Sequence, residues 1–207
     1  GVYMTGNGHV ESCLIRDNQA GVAAPGGGVS MTVGVVRNCV ISENRSGYAG
    51  AGLYISGTGV VENCTITRNR SMSATAGTGL QMSNGTVVNT IVSGNYPGSA
   101  YARDSANCPD VLKTGGSFLY SCSLPLVPGV GNIAAHPLFA APLSGNYSLL
   151  PGSPCIDAGS NRTTVATDYA GTTRPLDGND DGDPRHDIGA FEAPAANAGS
   201  LRTGFVL

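Results

Sequence analysis

At 207 residues the chain is long enough for one elongated domain or two small ones; its formal charge is −3, only 12% of its residues are charged, and its one lysine is Lys113. That balance excludes a basic footprint for nucleic acid and a polybasic anchor for lipid, and no apolar run of roughly 18 residues is present to span a membrane. Gly and Pro, 31 and 12 residues, approach the share found in disordered chains, but the glycines recur at turns beside aliphatic rows, which predicts order.

From residue 1 to about 98 the sequence repeats itself. Val2, Val29, Leu53 and Leu80 fall in one column, Met4, Met31, Ile55 and Met82 in a second, Cys13, Cys39, Cys64 and Thr90 in a third, and Asn18, Asn44, Asn69 and Asn95 in a fourth. Successive members of the last two columns are 26, 25 and 26 residues apart, a fixed period that reads as a solenoid with one repeat per turn. Each repeat holds short alternating runs such as Leu53-Tyr54-Ile55, broken by Gly, Asn and Ser, and no apolar spacing that would make a helix. About 25 residues accommodate three strands and three turns, so the prediction is an all-β fold, a parallel β-helix. Like residues then stack ~4.8 Å apart. The aliphatic rows and the Cys/Thr column point inward, the cysteines as free, modestly hydrophobic thiols.

Two Asn columns fall at strand ends, Asn38, Asn63 and Asn89 in one and Asn18 to Asn95 in the other. An Asn tolerates the left-handed corner and its amide can bond the Asn of the next coil, so either column can be the internal ladder. Gln19 to Gly28 and Arg70 to Thr78 vary most between coils and read as projecting loops. With the outward Tyr3, Tyr54 and Gln81 they mark the flank where a ligand would contact the coils. Gly1 falls inside a repeat, since GVYM aligns with GLYI, which reads as a processed or excised C-terminal part of a larger protein.

Between Tyr96 and Asn132 the period blurs, which predicts irregular further coils with an inserted loop, the coils ending near residue 131. Residues 132–194 change to Pro-containing turns and isolated motifs and read as a cap over the open end of the coils; 195–207 form a tail. The ordered motifs GNI-x-x-x-PLF, Y-x-L-x-PGSPCIDAGSN, D-x-x-G-x-x-RP-x-DG and DIGAFE lie between Gly131 and Glu192. In that order they resemble the choice-of-anchor type Q module, which closes right-handed parallel β-helix proteins exported by bacteria. The resemblance implies an extracellular or bacterial cell-surface setting and names no reaction. No sorting motif is recognisable after Glu192.

Cys108, Cys122 and Cys155 lie in the irregular part, where a disulfide would help most. Cys122 with Cys155 is the favoured pair and Cys108 with Cys122 the rival. The stretch Asp177 to Asp183 (DGNDDGD) matches the first half of an oxygen-rich calcium loop, with Asp177, Asn179, Asp181 and Asp183 as first ligands and Asp187 or Glu192 in place of the missing bidentate Glu. Asp157, Asp168, Arg174 and Arg185 read as ion pairs that pin the cap. For chemistry, Asp17 and Glu43 are the one adjacent carboxylate pair in the coils, and they sit beside Arg16 and Arg68. His9, His136 and His186 are scattered.

Together these features predict a non-catalytic structural or adhesive module of an exported surface protein. Its partners would be surface glycans, and other copies or an N-terminal part joined at the end near Gly1, with head-to-tail assembly as one form. The alternative is a polysaccharide lyase or hydrolase, or a carbohydrate-binding β-helix.

Overall fold

The computed structural model describes residues 1–72, 77–98 and 109–195. Three parallel sheets of five short strands each wind into a β-solenoid, and a fourth parallel sheet of three two-residue strands, Arg45–Ser46, Arg70–Ser71 and Tyr96–Pro97, lines the middle coils. Sheet 1 contains Val2–Met4, Val29–Met31, Leu53–Ile55, Leu80–Met82 and Val111–Lys113. Sheet 2 contains His9–Glu11, Val35–Arg37, Val60–Glu62, Thr86–Val88 and Ser117–Leu119. Sheet 3 contains Leu14–Arg16, Val40–Ser42, Thr65–Thr67, Ile91–Ser93 and Cys122–Ser123. Each set of three strands makes one rung, and every strand pairs with its copy on the rungs beside it.

The register follows the sequence columns. Val2, Val29, Leu53 and Leu80 are successive partners, and Val111 extends the row by one rung. Inside, these residues meet Met31, Ile55 and Met82 from the same sheet, Val36, Val61, Val87 and Phe118 from sheet 2, and Ile41, Ile66 and Val92 from sheet 3. Branched and unbranched aliphatics of like size lie over one another, so each rung closes the core of the last.

The internal ladder is the column Asn18, Asn44, Asn69 and Asn95. Each of the first three donates its Nδ2 to the Oδ1 of the next at 2.9, 3.0 and 2.9 Å, and the same Oδ1 atoms accept the preceding residue's backbone N–H. The ladder ends on a carboxylate: Asp110 accepts from Asn95 Nδ2 and N, both at 2.8 Å, and from Gly94 N. A carboxylate suits that end because it is purely an acceptor. The ladder also dictates glycine beside it. A Cβ on Gly28, Gly52 or Gly79 would come within 2.8 Å of the amide nitrogen of Asn44, Asn69 or Asn95.

Asn38, Asn63 and Asn89 are not a ladder. They take the left-handed corner themselves, each with φ 49°, and face outward onto the C-terminal segment. Asn38 Nδ2 donates to Thr167 O, and Asn89 clamps Ser160 by accepting from its N and donating to its O at 2.8 and 2.9 Å. At the other corner the left-handed residues are Asp17, Glu43, Arg68 and Gly94, one step before each ladder Asn.

The C-terminal segment does not simply close the end of the coils, as its composition suggested. Residues 127–133 fold under the last rung, where Asn132 Nδ2 donates to Phe118 O and Val127 O. From there a strap runs back over the outer face of sheet 3. It carries an antiparallel hairpin, Phe139–Ala141 with Asn146–Leu149. The physical cause is the outer column of sheet 3, Leu14, Val40, Thr65, Ile91 and Cys122, which is largely apolar and needs cover. Val40 packs with Tyr147 and Ala190, Ile91 and Cys122 pack with Leu149, Cys155, Ile156 and Ile188, and Thr65 Oγ1 accepts from Ala190 N. Leu14, on the first rung, stays 49% exposed.

A buried polar cluster holds the strap in shape. Arg174 pairs with Glu192 at 2.9 Å, both side chains fully buried, and donates to Asp187 O and Gly189 O. The Asp168 carboxylate accepts from the N–H groups of Ala170, Thr172 and Glu192, and Asp157 accepts from those of Asn179 and Arg185. Of the four residues expected to form ion pairs, only Arg174 does so among the described residues. Asp157 and Asp168 act instead as acceptors for tight turns, and Arg185 donates to Gly159 O.

Burial pushes two carboxyls up, Asp187 to about 7 with Glu192 adding to the effect, and Asp110 to about 6. Burial, with Arg174 beside it, pulls His186 down to about 4. A carboxyl raised in the fold binds its proton more tightly there than in the unfolded chain, so its contribution is present at low pH and lost as pH rises through 6 to 7. His186 acts in the opposite sense as pH falls through its unfolded value near 6.5, and it offsets part of the gain. We therefore expect stability to rise by about 0.5 kcal/mol, roughly 1–2 °C, as pH falls from 8 to 6.5. Melting curves across that interval check this, and Asp187→Asn should flatten the slope.

Candidate functional site

The outward column of sheet 1 reads Tyr3, Ser30, Tyr54, Gln81 and Leu112 on successive rungs. Alternation puts these side chains outside because their neighbours Val29, Met31, Leu53 and Ile55 fill the core. Tyr3 is 76% exposed and Tyr54 half-buried. Two rungs separate the rings, about 9.6 Å.

Beside this column the loop Gln19 to Gly27 rises and forms one wall of an open groove of about 450 Å³. Its floor is Tyr3, Ser30 and Tyr54, and Thr32 and Ser56 form the far edge, their hydroxyls 3.4 Å apart. The groove offers two aromatic faces, three further hydroxyl-bearing side chains in Ser30, Thr32 and Ser56 and, among the described residues, no charged side chain in its lining. Gln81 lies one rung beyond, with an Oε1 that is buried and has no partner among the described residues. The second variable loop, Arg70 to Thr78, falls partly on 73–76, outside the described residues.

The other candidate residues are placed differently. Arg16 pairs with Asp17 at 2.9 Å and with Glu43 at 2.6 Å, and Arg68 pairs with Glu43 at 3.1 Å. The carboxylate pair is thus tied into a surface ion-pair string. Glu11, Arg37 and Glu62 follow one another in register, with Arg37 to Glu11 at 3.4 Å. His186 is buried in the strap, with Nδ1 3.1 Å from Thr163 Oγ1.

In the acidic loop Asp177 accepts from the N–H groups of Asp181 and Gly182, Asn179 Oδ1 accepts from Asp181 N, and Asp181 accepts from Asp183 N and Asn179 Nδ2. Asp187 is turned into the strap, accepting from Asp157 N and Ala193 N at 2.8 and 2.6 Å. It does not join Asp177, Asn179, Asp181 and Asp183. Among the described residues no three His, Cys, Asp or Glu side chains come together to hold a metal ion.

The Cys/Thr column has a role the sequence reading missed. Cys13, Cys39, Cys64, Thr90 and Ser121 each donate to the carbonyl two residues back, at 3.0, 3.1, 3.2, 3.0 and 2.7 Å. The column selects a small donor at a corner, which is why thiol and hydroxyl interchange. Cys13, on the first rung, is exposed rather than stacked in the core. Asn63 is buried beneath the strap with both amide atoms unpartnered among the described residues. Cys122 and Cys155 are brought together as free thiols, and Cys108 lies outside the described residues.

No helix among the described residues is long and apolar enough to cross a membrane. Comparison with curated proteins and with solved structures gave no match for this chain. Residues 1–120 match the family model described as a right handed beta helix region. That match covers more than half of the chain and the same rungs that carry the stacked columns, and the chain belongs to the right-handed β-helix family.

Proposed function

We propose that the chain is a non-catalytic structural and adhesive module of an exported bacterial surface protein, and that it touches glycans through the groove on sheet 1. The observation that carries this reading is the pair of outward tyrosines, Tyr3 and Tyr54, set over hydroxyl-bearing neighbours and walled by the loop Gln19 to Gly27. Tyrosine rings present flat apolar faces with a polar edge, which suits the C–H faces and hydroxyls of a sugar. The surface setting is supported by the ordered motifs from Gly131 to Glu192 and their likeness to the choice-of-anchor type Q module. The absence of turnover is supported by the engagement of Asp17 and Glu43 with Arg16 and Arg68, which leaves their carboxylates paired.

Glycan arrays probed with the purified chain test the reading. Retention on a subset of neutral glycans is the expected result, with Tyr54→Ala weakening it roughly tenfold. Retention on none, or the release of new reducing ends or unsaturated products from the retained polysaccharide, would refute it.

A further inference from the structure

We propose that Cys122 and Cys155 form an intramolecular disulfide that fastens the strap to the last rung of the solenoid. This goes beyond the adhesive reading and does not depend on it. Cys122 is the final member of the outer column of sheet 3, and Cys155 reaches it from the strap. Both are fully buried in one small apolar cluster with Ile91, Leu149, Ile156 and Ile188. The two thiols belong to the same cluster of packed side chains, and Cys122 Sγ also donates to Ala135 O at 3.2 Å. The backbone fixes both partners: Cys122 N donates to Thr90 O, and Cys155 O accepts from Ile188 N. Ser153 Oγ accepts from Cys155 N as well.

Cys39 and Cys64 make the contrast. They occupy the same column on adjacent rungs, so their Cβ atoms lie side by side at about the strand spacing of 4.8 Å, beyond the 3.5–4.5 Å of a disulfide. Cys122 and Cys155 come from different layers, the sheet and the strap, and meet in the interface between them, so no strand spacing holds them apart.

The oxidant is a disulfide, either a small-molecule one such as glutathione disulfide or that of a protein oxidase. The Cys122 thiolate attacks it, forming a mixed disulfide and expelling one thiolate. The Cys155 thiolate then attacks the Cys122 sulfur and expels the second. Two protons leave the cysteines, one disulfide is reduced to two thiols, and one new S–S bond forms. Because both sulfurs are buried, the exchange requires the strap to be lifted, during folding or by local opening.

The test is to refold the full chain in a glutathione redox buffer, alkylate the remaining thiols and map the digest without reduction. One linked peptide pair containing Cys122 and Cys155 is expected, together with a melting temperature raised by roughly 5–10 °C and returned by dithiothreitol. Cys108→Ser should leave the link and the shift intact, and Cys155→Ser should abolish both. Should Cys122 and Cys155 both stay alkylatable after oxidative refolding, or should Cys122 link only to Cys108, the proposal is overturned.

Discussion

Replacing Asn69 with leucine lowers the stability of the chain by about 3–5 kcal/mol, while the same change at Asn18 costs about 1 kcal/mol or less. Asn69 is fully buried, and its amide donates to Ile41 O, Thr67 O and Asn95 Oδ1 at 2.9, 3.0 and 2.9 Å. Its Oδ1 accepts from both Nδ2 and N of Asn44. Leucine matches the volume but leaves the Asn44 N–H without its acceptor, with carbonyls of two rungs losing a donor. Each buried group so stranded costs roughly 1–3 kcal/mol. Asn18 is at the ladder's first rung, only partly buried, where water can replace what the side chain supplies. Urea unfolding of the two variants measures the difference. Equal losses at the two positions would mean that the ladder is held by its backbone alone.

The contrast between ladder and corner also shows what the sequence could and could not tell. The period, the columns and their register were legible, because a solenoid places like over like and each inward row must be filled at constant volume. Assigning a task to each column was harder. Both Asn columns sit at strand ends with amides of the same chemistry, and only the surroundings separate them: a glycine beside Asn44, Asn69 and Asn95 makes room for an inward amide, while Asn38, Asn63 and Asn89 turn out to the strap. The glycine directly before Val29, Leu53 and Leu80 in successive coils is the signal in the sequence for that room. Asp110 was invisible as the end of the ladder because it reaches Asn95 from 15 residues away instead of a full coil. The course of the strap was half legible. The strands VIS, TIT and IVS of sheet 3 are buried at every position, unlike the alternating strands of sheets 1 and 2, and such unbroken burial requires cover on both faces. Nothing local in residues 132–194 states which face they cover, since that choice rests on contacts far apart in the sequence, such as Ser160 with Asn89 and Ala190 N with Thr65 Oγ1.

Cutting the strap's ion pair has the second large effect. Arg174→Met should destabilise the strap by about 3–5 kcal/mol, because it leaves the Glu192 carboxylate buried without its counter-charge and Asp187 O and Gly189 O without their donor. Glu192 also holds the Leu176 and Asp187 N–H groups, so the loss reaches both arms of the strap's last turns. Among the described residues the solenoid rungs share no hydrogen bond with Arg174, and their core is a separate aliphatic cluster. The strap therefore opens first, as a local unit. Limited proteolysis should cut Arg174→Met between residues 134 and 193 under conditions where the parent chain is resistant, with the β-sheet circular dichroism retained. Adding Glu192→Leu should recover part of the loss, since removing both charges abolishes the desolvation cost that the single change leaves behind. Arg16→Met, which breaks two surface pairs, serves as the reference and should change stability by no more than about 1 kcal/mol. If Arg174→Met behaves like Arg16→Met, the strap is fixed by its apolar contacts over Val40 and Ile91, and the charge cluster contributes only shape.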